Sequence, residues 1–187
     1  MHCGEHMEDL LGAVYPDLNI PQNDQYYLDC AILAPKNEQV DLANSIALNQ
    51  FHGEAQTFHS ADSIAQEQGV DNDQMMYPAE YLNSLSPNGL PLHQLSLKIG
   101  CPLMLLQNLA PIDGLCNGSR MIVLNATRQV LQVRLLGGSH AGKTAFIPHV
   151  TLSPAPSEGY PFHMNCRQFP VKLAFSMTIN KSQGQSL

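Results

Sequence analysis

The spacing of hydrophobic positions changes along the chain, and each change predicts a different element. Leu10, Leu11 and Val14 share one side of a short helix over residues 7–14, which Pro16 stops. A polar loop follows. Cys30 to Ala34 is a continuous apolar run of strand length, the pattern of a fully buried strand. Asn37, just beyond Pro35, is placed to cap a helix whose apolar positions are Val40, Ala43, Ile46 and Ala47. Strand, tight loop and helix in that order form the repeating unit of an α/β sheet.

Residues 52–90 are polar, acidic and weakly periodic, with room for short elements near residues 57–59 and 79–85 and a turn at Ser86-Pro87-Asn88-Gly89. From residue 92 the pattern becomes short strands between turn signals. Leu95, Leu97 and Ile99 alternate with Ser96 and Lys98. Apolar runs follow at 103–106, 121–124, 130–136 and 145–147, separated by Asp113-Gly114, Asn117-Gly118 and Gly137-Gly138. This spacing predicts a small β-barrel. A last apolar strand over 171–177 opens into a polar tail.

Composition narrows the class. The 187 residues are 44% hydrophobic, enough for one core with a small inserted module. No run of about 18 apolar residues is present to span a membrane, and the N-terminus lacks the basic and apolar regions of a signal peptide. Five cysteines without a Cys-x-x-Cys pair predict reduced thiols and an intracellular setting. His2, Cys3 and His6 have no second ligand pair, so no metal site is expected. The net charge of −7 conceals an asymmetry: residues 1–80 carry fourteen acids and one base, residues 81–187 eight bases and two acids, that is −13 against +6. Such a division offers the second part to a polyanion.

Gly137-Gly138-Ser139-His140-Ala141-Gly142-Lys143-Thr144 matches the phosphate-loop pattern letter for letter. A working phosphate loop needs a helix starting at its lysine, whose N-terminal amides hold the phosphates. Here Ala145-Phe146-Ile147-Pro148 follows, and the proline would cost a helix roughly 3 kcal/mol. The segment is expected to be a glycine-rich hairpin turn, with an autonomous nucleotide hydrolase as the alternative.

The tail is better suited to a phosphodiester. Thr178 and Ser182 carry hydroxyls, and Asn180 and Gln183 carry amides, all able to donate to phosphate oxygens. Lys181 adds charge, and Gly184 admits close backbone approach. Ligands of α/β sheets bind beyond the carboxyl ends of strands, where this loop lies. Residues 169–187 closely resemble motif V of the PIF-type (petite integration frequency) helicases, including those of Helitron transposons. Further ordered matches run through 7–16, 31–38, 60–64, 97–109 and 114–120.

The resemblance implies a fold of class α/β: part of a RecA-like parallel-sheet domain (2A) with an inserted Src-homology-3-like β-barrel (2B). The expected divisions are a helix and linker over 1–24, the first part of 2A over 25–100, 2B over 101–160, and the last strand with its loop over 161–187. It implies ATP-driven 5′→3′ translocation on single-stranded DNA. By position, Thr178, Asn180, Lys181, Ser182, Gln183, Gly184, Lys98 and Asn108 would contact the strand, and Asn37, Gly184 and Gln185 would face the nucleotide cleft. Asn180 stands where many members carry histidine. The first RecA-like domain, with its phosphate loop, and the later arginine motif fall outside these residues. The chain is therefore expected to be a helicase fragment, with ATP and Mg2+ as cofactors of the whole family and no turnover by the chain alone. A protein partner supplying the ATPase half, or a barrel serving as an adaptor, are further implied possibilities, with nuclear or mitochondrial residence by resemblance and no membrane partner.

Overall fold

Two parallel strands far apart in sequence organise the α/β part of the chain. β1 (Ile32–Ala34) pairs in parallel with β12 (Ser176–Thr178), residue for residue from Ile32 opposite Ser176 to Ala34 opposite Thr178. The structure is a computed structural model that describes residues 3–64, 77–85, 87, 89–154, 162 and 164–179, with side-chain surroundings from residue 7 onward. Helices α1 (Cys3–Val14), α2 (Asp24–Asp29) and α3 (Asn37–Gln50) lie around the strand pair. α3 presents Val40, Ala43, Ala47 and Leu48 to the interior, the stripe its spacing requires.

Asn37 does not cap α3. Lys36 holds the extended cap conformation, φ −120° and ψ 143°, without a side-chain cap bond, so Asn37 is already in the first turn. α3 therefore begins one residue sooner than expected. α2 was not evident from its sequence. It is a six-residue helix capped by the Asn23 side chain, which accepts from the Tyr26 amide at 2.9 Å.

The second part is antiparallel. β5 (Pro102–Leu105), β6 (Arg120–Ala126), β7 (Val130–Leu135), β8 (Thr144–Pro148) and β11 (Val171–Leu173) form one sheet in the order β11-β5-β6-β7-β8. Every second residue of β7, namely Leu131, Val133 and Leu135, is buried. The expected barrel is not closed among the described residues. After β8 the chain turns at His149 into β9 (Val150–Leu152), which pairs with β10 (Met164–Gln168) in a separate sheet of order β3-β10-β9, where β3 is Ala61–Ile64. Diverting β9 to this partner leaves β8 and β11 as opposite edges of an open sheet. β2 (Gln56–His59) and β4 (Gln94–Leu97) form a further antiparallel pair, and α4 (Ala79–Ser84) packs on β3. The apolar run 171–177 is two strands, not one: Ala174 and Phe175 separate β11 from β12, and each piece joins a different sheet.

One hydrophobic cluster runs through both parts, from Leu11, Tyr15 and Phe51 to Leu103, Met121, Val133 and Ile147. Two polar side chains strengthen the junction. Tyr15 donates its hydroxyl to the carbonyls of Cys30 and Phe175 at 3.0 and 2.9 Å, and burial raises its pKa. Arg120 on β6 reaches the carbonyls of Leu28, Cys30 and Ala174 at 3.4 to 3.5 Å, and burial lowers its pKa. The antiparallel sheet is thereby tied to the chain segments that enter β1 and β12.

Candidate nucleic-acid interface

The carboxyl ends of β1 and β12 open onto a cleft of about 470 Å³. One side is a face of α3, where Asn37, Asp41, Asn44, Ser45 and Leu48 recur at helical spacing. Another side is the segment before β4, with Pro87, Leu90, Pro91 and Leu92. Gln94 and Ser96 of β4, Leu106, Lys172 of β11 and Thr178 at the end of β12 also line it.

Asn44 sets this geometry. It is 4% exposed on the apolar stripe of α3, donates its amide to the carbonyls of Leu173 and Ser176 at 3.2 Å each, and accepts from the Ser176 amide at 2.9 Å. The helix is thus stitched to the start of β12, which carries Thr178 to the cleft. Ser176 adds a hydroxyl bond to the Ile32 carbonyl at 3.1 Å, across to β1. Among the lining residues the only charges are Asp41 and Lys172. Partial withdrawal from water raises the Asp41 carboxyl, and the positive Lys172 opposes that rise.

Of the residues singled out from sequence, Asn37 and Thr178 come together in this cleft. Asn180, Lys181, Ser182, Gln183, Gly184 and Gln185 lie outside the described residues. Lys98 and Asn108 lie elsewhere. The Lys98 ammonium donates to the Phe51 carbonyl at 2.6 Å, closing the end of α3, and the Asn108 side chain accepts from the Asn117 amide at 2.7 Å within the β5–β6 loop. Sequence reading missed Asn44, Ser45, Gln94, Ser96 and Lys172. Asn44 did leave a signal, as a polar residue on an otherwise apolar helix stripe.

Residues 137–144 form a hairpin. β7 and β8 pair up to Arg134 opposite Thr144, and the Leu135 amide bonds the Lys143 carbonyl at 2.9 Å while the Gly142 amide bonds the Leu135 carbonyl at 2.8 Å. Lys143 leads into a strand, so no helix N-terminus supplies a phosphate cradle. Among the described residues Ser60, Asp62 and His93 do not form a nucleophilic triad: Ser60 Oγ and Asp62 Oδ2 approach the same nitrogen of His93, Nδ1, at 2.7 and 3.4 Å. A working triad uses opposite nitrogens of the ring. Among the described residues no cluster of three or more His, Cys, Asp or Glu side chains is arranged to hold a metal ion.

Parallel strands with an adjoining helix, an antiparallel module inserted between them and a cleft at the strand ends are features of a RecA-like α/β fold. Comparisons narrow the class. The family model described as DNA helicase Pif1, 2B domain, matches residues 80–125, which include β4, β5 and most of β6. The ATP-dependent DNA helicase PIF1 of Rattus norvegicus is 30% identical over 158 residues, covering 83% of this chain and 22% of its own length. That of Homo sapiens is 30% identical over 159 residues, with the same coverage of 83% and 22%. Among solved structures, the Pif1 helicase from Candida albicans matches 98% of this chain and 46% of its own with a TM-score of 0.59 and 23% identity. Bacteroides Pif1 bound to ssDNA matches 96% and 37%, with a TM-score of 0.57 and 21% identity. Over the stretch it spans the chain is therefore similar to the Pif1-type helicases, with a match to their 2B domain at residues 80–125. That stretch is about a fifth of the curated relatives' length, 22% for both of those compared.

Bacteroides Pif1 is known in complex with ADP-AlF4, so nucleotide binding occurs in a structural neighbour. The described residues of this chain fit that group poorly. The one glycine-rich loop of the right spelling is a hairpin, and Asn37 is the single described residue assigned to the nucleotide side.

Proposed function

We propose that this chain contributes single-stranded DNA binding, and one side of an inter-domain ATP cleft, to an ATP-dependent 5′→3′ DNA helicase. The observation that carries the reading is the convergence of Asn37 and Thr178 on one cleft at the carboxyl ends of paired parallel strands. Thr178 carries a hydroxyl suited to a phosphate, and the sequence beyond it offers the hydroxyl, amides and ammonium of residues 180–183 as further donors to the DNA backbone. The names of the relatives support the helicase activity, and one structural neighbour is bound to ssDNA. ATP and Mg2+ belong to the assembled helicase. Because residues 137–144 are a hairpin, the chain alone is expected to show no DNA-stimulated ATP turnover.

Fluorescence anisotropy of a labelled single-stranded oligonucleotide, titrated with the chain at several salt concentrations, tests the reading. Neutralising two or three phosphates gives a slope of log affinity against log salt of about −1.4 to −2.1. Lys181→Ala is expected to remove about 0.7 of that slope. A folded chain that binds no oligonucleotide at low salt would refute the proposal.

A further inference from the structure

Among the described residues the cleft lining carries no net positive charge. Its two charged lining residues, Asp41 and Lys172, have opposite signs, so the lining offers a polyanion no net attraction. Its shape and chemistry suit a neutral, flat ring with a polar edge. Pro87, Leu90, Pro91 and Leu92 provide an apolar wall for a ring face, and Leu92 keeps 44% of its surface exposed. Ser45, Gln94 and Thr178 provide amide and hydroxyl groups that both donate and accept. A volume of about 470 Å³ lies within the range of small-ligand sites, which are mostly apolar with a few placed polar groups.

We propose that the cleft is a subsite for one unstacked nucleobase of the bound single strand, while the backbone of that strand runs outside it past Thr178. This rests on the reading that the chain holds single-stranded DNA and goes further by assigning base and backbone to different surfaces. Splayed bases of single strands are taken up in this manner, face on an apolar surface and edge on polar groups. Because hydroxyls and side-chain amides pair with donors and acceptors alike, the subsite accepts any of the four bases. Its contribution is a gain in affinity over a bare sugar–phosphate chain without sequence preference.

The test compares two fluorescein-labelled probes of about ten nucleotides, a length typical of such sites. One is oligothymidylate and the other carries abasic residues throughout, so that phosphate number and charge are equal. The full chain is expected to bind the thymidylate about fivefold more tightly, at the weaker end of base stacking because the wall is aliphatic. Ser45→Trp places a bulky ring in the cleft from an exposed helix position and is expected to bring the ratio of the two affinities to about one. Leu92→Ser, which removes part of the apolar wall without filling the cleft, is expected to lower the ratio as well. Asn49→Trp, on α3 but outside the cleft lining, retains the wild-type ratio. Equal affinity of the wild-type chain for both probes, or a ratio unchanged by Ser45→Trp and Leu92→Ser, overturns the base subsite and leaves DNA binding standing. An occupant of protein origin would give that second pattern. Absence of salt-dependent binding to either probe overturns both readings together.

Discussion

Asn44→Ala tests how the fold builds its site. The side chain satisfies three backbone groups: the carbonyls of Leu173 and Ser176 and the amide of Ser176, at 3.2, 3.2 and 2.9 Å. Asn44 is 4% exposed and Ser176 is fully buried, so water does not readily replace the lost partner. Each intramolecular bond contributes about 1 kcal/mol net, and an orphaned buried group costs about 1–3 kcal/mol. The β1–β12 ladder bonds through the Phe175 carbonyl, so the Ser176 amide and carbonyl rely on Asn44, and with partial relaxation the sum comes to about 3 kcal/mol. For a chain of this size that corresponds to a fall in melting temperature of about 6–12 °C. Urea unfolding followed by circular dichroism measures it, with Asn49→Ala on the exposed side of α3 as the control, expected within about 0.5 kcal/mol of wild type. A shift for Asn44→Ala as small as that of the control would refute the claim that Asn44 stitches α3 to β12.

Gly114 adopts φ +83°, and a Cβ there would meet the His140 ring at 2.9 Å, so Gly114→Ala is expected to lower stability by about 2 kcal/mol. Adding His140→Gly, which removes the Cβ that also lies at 2.9 Å, should recover the steric part alone, and a double-mutant comparison of urea midpoints reads this out. His149 stacks on Phe169 with ring centres 3.8 Å apart, and its pKa is lowered by burial first and by Arg167 second. Its folded-state pKa lies below the ordinary 6.5, so the unfolded chain takes up the proton first and stability falls as pH drops below about 6.5. The fall should be shallower in His149→Phe, and equal slopes for the two proteins would count against it. Burial pushes the Cys101 and Cys166 thiols up to about 12, so a disulfide reagent at pH 8 should label partly exposed Cys30 and Cys116 first. Mass spectrometry of the native and unfolded chain identifies the labelled sites.

Much of the architecture was legible because local pattern and tertiary role agreed. The run 30–34 placed β1, the stripe from Val40 to Ala47 placed α3, and Pro148 excluded a helix after Lys143, leaving the hairpin that is observed. The family resemblance agrees with the comparisons. Elements fixed by distant partners were not legible. The six-residue α2 depends on Asn23 and on packing of Tyr27, too short a pattern for periodicity to register. β3 and β10 are held by each other across about a hundred residues, and each is only four or five residues long. The division of 171–177 into two strands follows from two sheets competing for adjacent residues, and the open sheet follows from β9 choosing β10. Thr178 and Asn37, singled out from sequence, line one cleft, whereas Lys98 and Asn108 are engaged in bonds within the chain. The cleft itself was not legible, since its walls come from residues 35–48, 87–96, 106 and 172–178, brought together by Asn44.

The most direct test of the central claim is zero-length photo-crosslinking of the chain to 4-thiothymidine oligonucleotide, with adducts mapped by mass spectrometry. The account predicts adducts on peptides containing residues 35–45, 87–96 and 178–184, around the cleft and the track beyond Thr178. Adducts confined to residues 120–148 of the antiparallel sheet, or none on a folded chain, would contradict it.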